Sequence, residues 1–219
     1  GSFTGDGLLY AKGETIKGKK IFIASGTRPW IPPIEGIDTA NYPTSDTMLQ
    51  MEDLPSNILI IGGGYIGVEY GHFFEAMGAG VTIIEMADRL VPYEEPEISD
   101  LLKDELGRRM DIYTGTAVLR VGRKDRLAAV LTRNLATGEK TEFIAEKLLI
   151  AAGRTPNSDL LSPEKTGVQT DRKGYILVND YMETTRKDIY AVGDAIGKQM
   201  FTHTANREAW LAVHNAIHD

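Results

Sequence analysis

Hydrophobic residues in this chain come in short bursts separated by glycine, proline and charge. Asn57-Ile58-Leu59-Ile60-Ile61 is one such burst, long enough for a buried parallel strand and too short for a helix. It stops at Gly62-Gly63-Gly64-Tyr65-Ile66-Gly67. A helical period follows, with Ile66, Tyr70, Phe73, Phe74 and Met77 on one face and Gly78 placed as a C-cap. Val81-Thr82-Ile83-Ile84 then reads as a second strand that closes on the carboxylate of Glu85.

The same reading extends along the rest of the chain. Upstream, Gly7-Leu8-Leu9-Tyr10 and Glu14-Thr15-Ile16 suggest a small hairpin, and Ile21-Phe22-Ile23-Ala24 a buried strand. The prolines of Trp30-Ile31-Pro32-Pro33-Ile34-Glu35-Gly36 exclude both helix and central strand, leaving an extended crossover. Thr44-Ser45-Asp46 can cap a short helix over 47–51. Downstream, Pro96-Glu97 opens a helix with Ile98, Leu101, Leu102 and Leu106 inward. Strands are expected at 111–114, 117–121, 127–132 and 140–144, the last two flanking the turn Ala136-Thr137-Gly138-Glu139. Further strands are expected at 148–152, 174–178 and 189–192. A final helix is expected from about Asn206 to Ile217, with Ala209, Trp210, Val213 and Ile217 as its apolar face. The fold class is α/β: a parallel βαβαβ sheet carrying an antiparallel β-meander where a crossover helix would otherwise stand.

The glycines have a chemical reading. Gly62 lets the chain turn off the strand, Gly64 lets backbone approach a diphosphate, and Gly67 lets helix and strand pack closely. The helix start supplies unpaired N–H groups and the positive end of a dipole. Glu85 falls where the ribose-binding acid of this fingerprint is expected, roughly 20 residues beyond the glycines. A 2′-phosphate about 4 Å from that carboxylate would cost roughly 4 kcal/mol per unit charge at an effective dielectric near 20. A 2′-hydroxyl would instead donate a hydrogen bond. The expected cofactor is therefore NAD rather than NADP.

Composition narrows the remaining classes. The 219 residues are 42% hydrophobic and 25% charged, as in ordinary globular proteins, and the net charge of −7 argues against nucleic acid as a partner. No apolar run reaches membrane-spanning length and no signal-peptide pattern is present, so no membrane partner and a cytoplasmic location are expected. With no cysteine, these residues hold no disulfide, zinc-thiolate site or catalytic thiol, and no metal site is expected.

Four motifs then stand in order: Ala24-Ser25-Gly26-Thr27-Arg28-Pro29, Gly62 through Glu69, Gly153-Arg154-Thr155-Pro156-Asn157, and Tyr190-Ala191-Val192-Gly193-Asp194. On these the chain resembles the FAD- and NAD(P)-dependent pyridine nucleotide-disulfide oxidoreductases, and most nearly their dihydrolipoamide dehydrogenase branch. The resemblance implies a Rossmann-like NAD-binding domain at 37–157, inserted in a partial FAD-binding domain at 1–36 and 158–219. Gly62, Gly64, Tyr65, Ile66, Gly67 and Glu85 would hold NAD. Gly26, Gly153, Gly193, Asp194, Thr204 and Ala205 would line the cofactor sites, Asp194 accepting from a ribityl hydroxyl. The amides at Thr204 and Ala205 would face the flavin pyrimidine. Tyr65 and Glu69 are the expected catalytic residues, Tyr65 against the flavin and Glu69 on the nicotinamide side. His72 and His214 read as surface or packing residues, and His203 as a loop polar group or a site residue.

The resemblance also implies what surrounds these motifs. In the family, the first FAD glycine motif and the redox cysteines precede this region, and a dimerisation domain with the catalytic histidine follows it. The expected parent is a homodimer that exchanges hydride between NAD(H) and FAD and passes electrons to or from a small-molecule or lipoyl-domain disulfide. The chain alone is expected to be colourless, inactive and able to bind NAD(H); whether Gly1-Ser2 is native or a cloning scar stays open. Two alternatives stand beside this reading: a stand-alone NAD-binding module, or a sister flavoenzyme such as an NADH oxidase, a transhydrogenase, or a mercuric or glutathione-type reductase.

Overall fold

The computed structural model describes residues 1–5, 7–37 and 42–218. They fall into two compact units, one of residues Gly1–Arg28 with Arg154–Asp219, the other of Pro29–Gly153.

The first unit begins with β1 (Ser2–Gly5), β2 (Leu8–Ala11) and β3 (Glu14–Lys17), an antiparallel sheet in the order β1-β2-β3. The expected hairpin is the β2–β3 half. β1 escaped the pattern because its single anchor, the buried Phe3, lies among small polar residues. β4 (Ile21–Ile23) buries Ile21 and Ile23, and β5 (Thr27–Pro29) follows it.

In the second unit the proline segment docks on later strands. Val121 N–H donates to Glu35 C=O, and a Cβ on Gly36 would fall 2.0 Å from the Val121 carbonyl oxygen. The short helix is a 3₁₀ turn, Met48–Gln50, with Thr47 at its N-cap and no capping side chain. Instead the Thr44 carbonyl accepts the Thr47 and Met48 amides.

Next come β6 (Asn57–Ile61), α1 (Tyr65–Ala76), β7 (Gly80–Ile84), α2 (Pro96–Leu106) and β8 (Asp111–Tyr113). The meander is β9 (Thr116–Lys124), β10 (Leu127–Asn134) and β11 (Lys140–Ala145), and β12 (Lys147–Ile150) closes the unit. A parallel sheet runs β12-β6-β7-β8, and the meander forms its own sheet. Alternation along β6 divides the core: Ile58 and Ile60 join Phe74, Leu106 and Val81 on the helix side. Leu59 and Ile61 join Val121, Val130 and Ile150 on the meander side. Burial of both sheet faces explains the uninterrupted apolar run at 58–61.

The chain returns to the first unit through β13 (Arg154–Pro156), which pairs with β5. β14 (Ile189–Ala191) runs parallel to β4, and α3 (Thr202–His218) follows. The strand expected at 174–178 is not there; its residues make only isolated bridges, Ile176 to Thr170 and Val178 to Thr184. Turns interrupt it at both ends. Gly174 sits at φ +91°, and the Asn179 side chain accepts the Tyr181 and Glu183 amides.

In the three helices of the described residues the inward face is rotated from the one their large residues suggest but overlaps it, since Phe74, Leu102, Leu106 and Ala209 do pack inward. α1 buries Gly67, Gly71 and Phe74, leaving Phe73 and Met77 exposed; α2 buries Ser99 and Leu106, leaving Ile98 and Leu101 exposed. α3 buries Glu208, Ala212 and Ala216, while Trp210, Val213 and Ile217 face solvent. Close approach selects small side chains, and the bulky neighbours are displaced to the flanks.

Gly67 is the tightest of these approaches, since a Cβ there would lie 1.9 Å from the Gly62 carbonyl oxygen. Gly67→Ala should lower stability by about 1–3 kcal/mol through overpacking. Gly64, with nothing within 4 Å of its Cβ position, should tolerate alanine far better. Urea unfolding of both variants checks this, and equal losses would contradict it.

Candidate functional site

The glycine turn is built from three distinct constraints. Gly62 has φ +114°, and a Cβ there would strike the Ala151 carbonyl oxygen at 2.3 Å. Only glycine avoids both the left-handed strain and the clash. Gly67 seats the helix on the turn, as above. Gly64 is the N-cap, extended at φ −74° and ψ −175°, with open space at its Cβ position and no side chain capping the helix. The helix closes its first bond from Val68 N–H to Gly64 C=O, at 3.0 Å. The preceding amides therefore have no partner within the helix.

Glu85 follows β7 and reaches back to this turn. Its Oε2 accepts the Gly63 amide at 2.5 Å and its Oε1 accepts the Ala87 amide at 2.7 Å. Each carboxylate oxygen keeps a further acceptor position. The loop beyond is tied down as well: Val91 N–H donates to Gly63 C=O, and Leu90 is fully buried. From the same loop, Glu94 accepts a hydrogen bond from the Tyr65 hydroxyl, which holds the phenol pKa above its ordinary value. The exposed Glu69, one turn along α1, has no ion pair among the described residues.

The first unit carries a second cluster. The Thr27 hydroxyl donates to Asp194 Oδ2 at 2.9 Å, and Arg154 Nε donates to the Thr27 oxygen at 2.6 Å while lying 4.0 Å from the same carboxylate oxygen. Asp194 sits in a 3₁₀ turn, Gly193–Ile196, entered through Gly193 at φ +66°. The buried Glu208 fixes that turn by accepting the Gly193 amide at 2.8 Å. Gly26, at φ +64°, accepts the Asn157 amide, and the Asn157 side chain donates to Ser25 C=O. Thr204 and Ala205 lie within the first turn of α3 rather than before it. The Ala205 amide is already given to Phe201 C=O at 3.0 Å, so Thr204 is the last residue with an open amide.

The structure thus gathers the expected residues into two groups. Gly62, Gly64, Tyr65, Ile66, Gly67 and Glu85 surround one helix start in the second unit. Gly26, Gly193, Asp194, Thr204 and Ala205 belong to the first unit. Gly153, at φ +135°, ends the second unit and accepts the Trp30 amide. Sequence reading missed Glu208, Thr27, Arg154 and Glu94. A signal existed for Glu208, which falls on the Ala205, Ala212 and Ala216 stripe, where an acid can be buried only with a partner. Among the described residues, no group of three or more His, Asp or Glu is placed to hold a metal ion, and no helix is long and apolar enough to cross a membrane.

A strand, a glycine turn, an uncapped helix start and a carboxylate from the next strand define a dinucleotide-binding βαβ unit. The model of the pyridine nucleotide-disulphide oxidoreductase family matches residues 2–209, and the chain belongs to that family. The chain is 31% identical over 217 residues to a mercuric reductase of Staphylococcus aureus, covering 99% of this chain and 39% of that protein. It is 37% identical over 196 residues to a dihydrolipoyl dehydrogenase of Bacillus subtilis (strain 168), covering 89% of this chain and 41% of that one. In structure it is similar to the HOCl-induced flavoprotein disulfide reductase RclA from Escherichia coli, solved as a Cu(II) complex. The TM-score is 0.86 at 32% identity, covering 96% of this chain and 48% of that one. The chain thus spans less than half the length of these relatives. Proteins of this family are flavin- and pyridine-nucleotide-dependent oxidoreductases.

Glu208→Ala should leave the buried Gly193 amide unsatisfied and lower stability by about 1–3 kcal/mol, while Glu208→Gln retains an acceptor and loses less. Denaturant midpoints decide between them; equal losses would mean that the carboxylate acts only by filling space.

Proposed function

We propose that the glycine turn and Glu85 bind NAD(H), and that this chain is the central portion of a flavin-dependent NAD(H) oxidoreductase acting on a disulfide or dithiol. The observation that carries the reading is Glu85. A strand-end carboxylate is oriented by two backbone amides while its remaining acceptor positions stay available. The diphosphate would lie against the open amides ahead of Val68, and the adenosine ribose hydroxyls would donate to Glu85. The like charge of a 2′-phosphate disfavours NADP. Arg89, the nearest base in sequence, stands beside Asp88 at 3.5 Å, which further supports NAD.

For the first unit the reading is a portion of a flavin-binding domain. Asp194 fits a ligand hydroxyl, since Oδ2 is engaged by Thr27 and no hydrogen bond to Oδ1 occurs among the described residues. The β4–β14 pair supports the same reading. Parallel sheets are ordinarily covered on both faces, yet Phe22 is 43% exposed at the centre of β4. A bound flavin would supply hydride exchange with the nicotinamide. The chain's own residues would hold and orient, Asp194 at the ribityl chain and the α3 amides through Thr204 at the pyrimidine edge. Tyr65 and Glu69 would act on the nicotinamide side, with Tyr65 first released from Glu94.

The dihydrolipoyl dehydrogenase identity of 37% favours a dithiol substrate over mercuric ion. Mercuric reductases at 31–34% identity keep the sister activity as the second reading.

NADH titrated into the 219-residue chain should bind measurably more tightly than NADPH. Glu85→Ala should weaken NADH by about 1–3 kcal/mol, with Glu85→Gln intermediate because one oxygen remains. Equal affinity for both nucleotides would remove the NAD preference. An NADH affinity unmoved by Glu85→Ala, in a variant whose melting temperature shows it folded, would place the ribose elsewhere.

A further inference from the structure

The first unit carries a pair of imidazoles that neither cofactor cluster uses. His214 and His218 stand at i and i+4 on α3, one above the other on the same face of the helix. Both are exposed, and their ring centroids lie 4.6 Å apart with the planes at 46°. Among the described residues, neither ring makes a hydrogen bond or an ion pair.

The surroundings hold the pair in place. Trp210, one turn earlier, stacks on His214 with centroids 5.2 Å apart and planes 12° from parallel. An indole against one face of an imidazole restricts its rotation and leaves the ring edge, where the nitrogens lie, uncovered by the stack. The helix is pinned beside the two rings as well. Asn215 Nδ2 donates to Tyr181 C=O at 3.1 Å, and Ala212 and Ala216 are buried in the core of the unit. The backbone that sets the spacing is therefore fixed by packing in which the histidines take no part.

Two neutral imidazoles one helical turn apart can ligate one ion. Nitrogen–metal bonds of about 2.0–2.1 Å bring two nitrogens on one ion within about 4 Å of each other. Rings with centroids 4.6 Å apart reach that separation by side-chain rotation alone. Imidazole suits zinc, copper and nickel, whereas magnesium and calcium call for oxygen ligands. No third His, Asp or Glu joins the pair among the described residues, so an ion held here keeps positions open to water.

We infer that His214 and His218 form a two-histidine site for a divalent transition metal of the zinc, copper and nickel class. The first nitrogen bond makes the second intramolecular, and that effective concentration raises the pair above a lone surface histidine. The competing account is a surface aromatic stack with no ligand, and the two differ in whether both imidazoles are needed. The inference is independent of the dinucleotide and flavin readings, because no residue is shared. His214 lies roughly 15 Å along the helix from Thr204.

Calorimetric titration of nickel(II) chloride into the 219-residue chain tests it. Binding should saturate at one equivalent and be unaffected by excess magnesium. His214→Gln and His218→Gln should each weaken nickel at least about tenfold, whereas His72→Gln and His203→Gln should leave it unchanged. Both side chains of the pair are exposed, so the metal-free melting temperature should hold in each variant. The chain has two tryptophans, and in a Trp30→Phe background nickel should quench Trp210 fluorescence along the same isotherm. No saturable binding, or binding that survives the double variant His214→Gln/His218→Gln, would overturn the site. Sensitivity to only one of the two histidines would overturn the chelate. Saturable binding without quenching would place the ion away from Trp210 and overturn the assignment too.

Discussion

The second unit depends on how closely a helix can approach the strand that precedes it. With a Cβ position only 1.9 Å from a carbonyl oxygen, Gly67 brings the first turn of α1 to the end of β6 at a distance no other residue allows. Everything chemical at this end follows from that approach. The helix amides are directed at the space above the strand, and Gly63 comes within reach of Glu85 from the neighbouring strand. In the proposed reading the carboxylate serves twice, as part of the turn's own hydrogen bonding and as an acceptor for a bound ribose. A change at Glu85 therefore acts on geometry and on binding together, and the amide analogue is needed to separate the two.

The first unit solves a similar problem with different chemistry. Its acidic turn is held from behind by a buried carboxylate, Glu208, and from the side by Thr27 and Arg154. Asp194 is thereby positioned by residues far away in sequence. Burying Glu208 is tolerable because a backbone amide meets it at 2.8 Å, and charge-assisted bonds to amides are among the stronger ones. In both units, then, an acid braces a glycine-entered turn. In the second unit that acid is also the candidate ligand group, and in the first the two roles are divided between Glu208 and Asp194.

Much of this was legible in the sequence, for reasons that particular residues show. The run 57–61 could only be a strand buried on both faces, and the glycines fixed where it turned. Pro96 and Gly78 marked helix ends because each restricts or frees φ in a way that suits one position. Side-chain faces were less legible. Phe73, Trp210 and Ile98 look like core residues, but tight packing rewards Gly71, Ala212 and Ser99 instead, and hydrophobicity does not measure closeness. The 174–178 segment has a strand's composition without a partner to pair with. The hydrogen bonds of Thr27 with Asp194 and Arg154 were out of reach because they join residues more than 120 positions apart, and no local period encodes that.

The two ends of the parallel strands illustrate how one sheet can offer two electrostatic environments. At the carboxyl ends, a helix dipole and backbone amides provide fixed partial positive charge beside the carboxylate of Glu85. At the amino ends, the meander and β12 bring Arg123, Arg126 and Lys147 together beside Glu146. Partial charges from backbone attract an anion such as a diphosphate without clamping it. The meander in place of a crossover helix is what makes the second arrangement possible, because a hairpin turn can place Arg123 and Arg126 at a strand end. A helix there would have covered the same edge with a continuous surface.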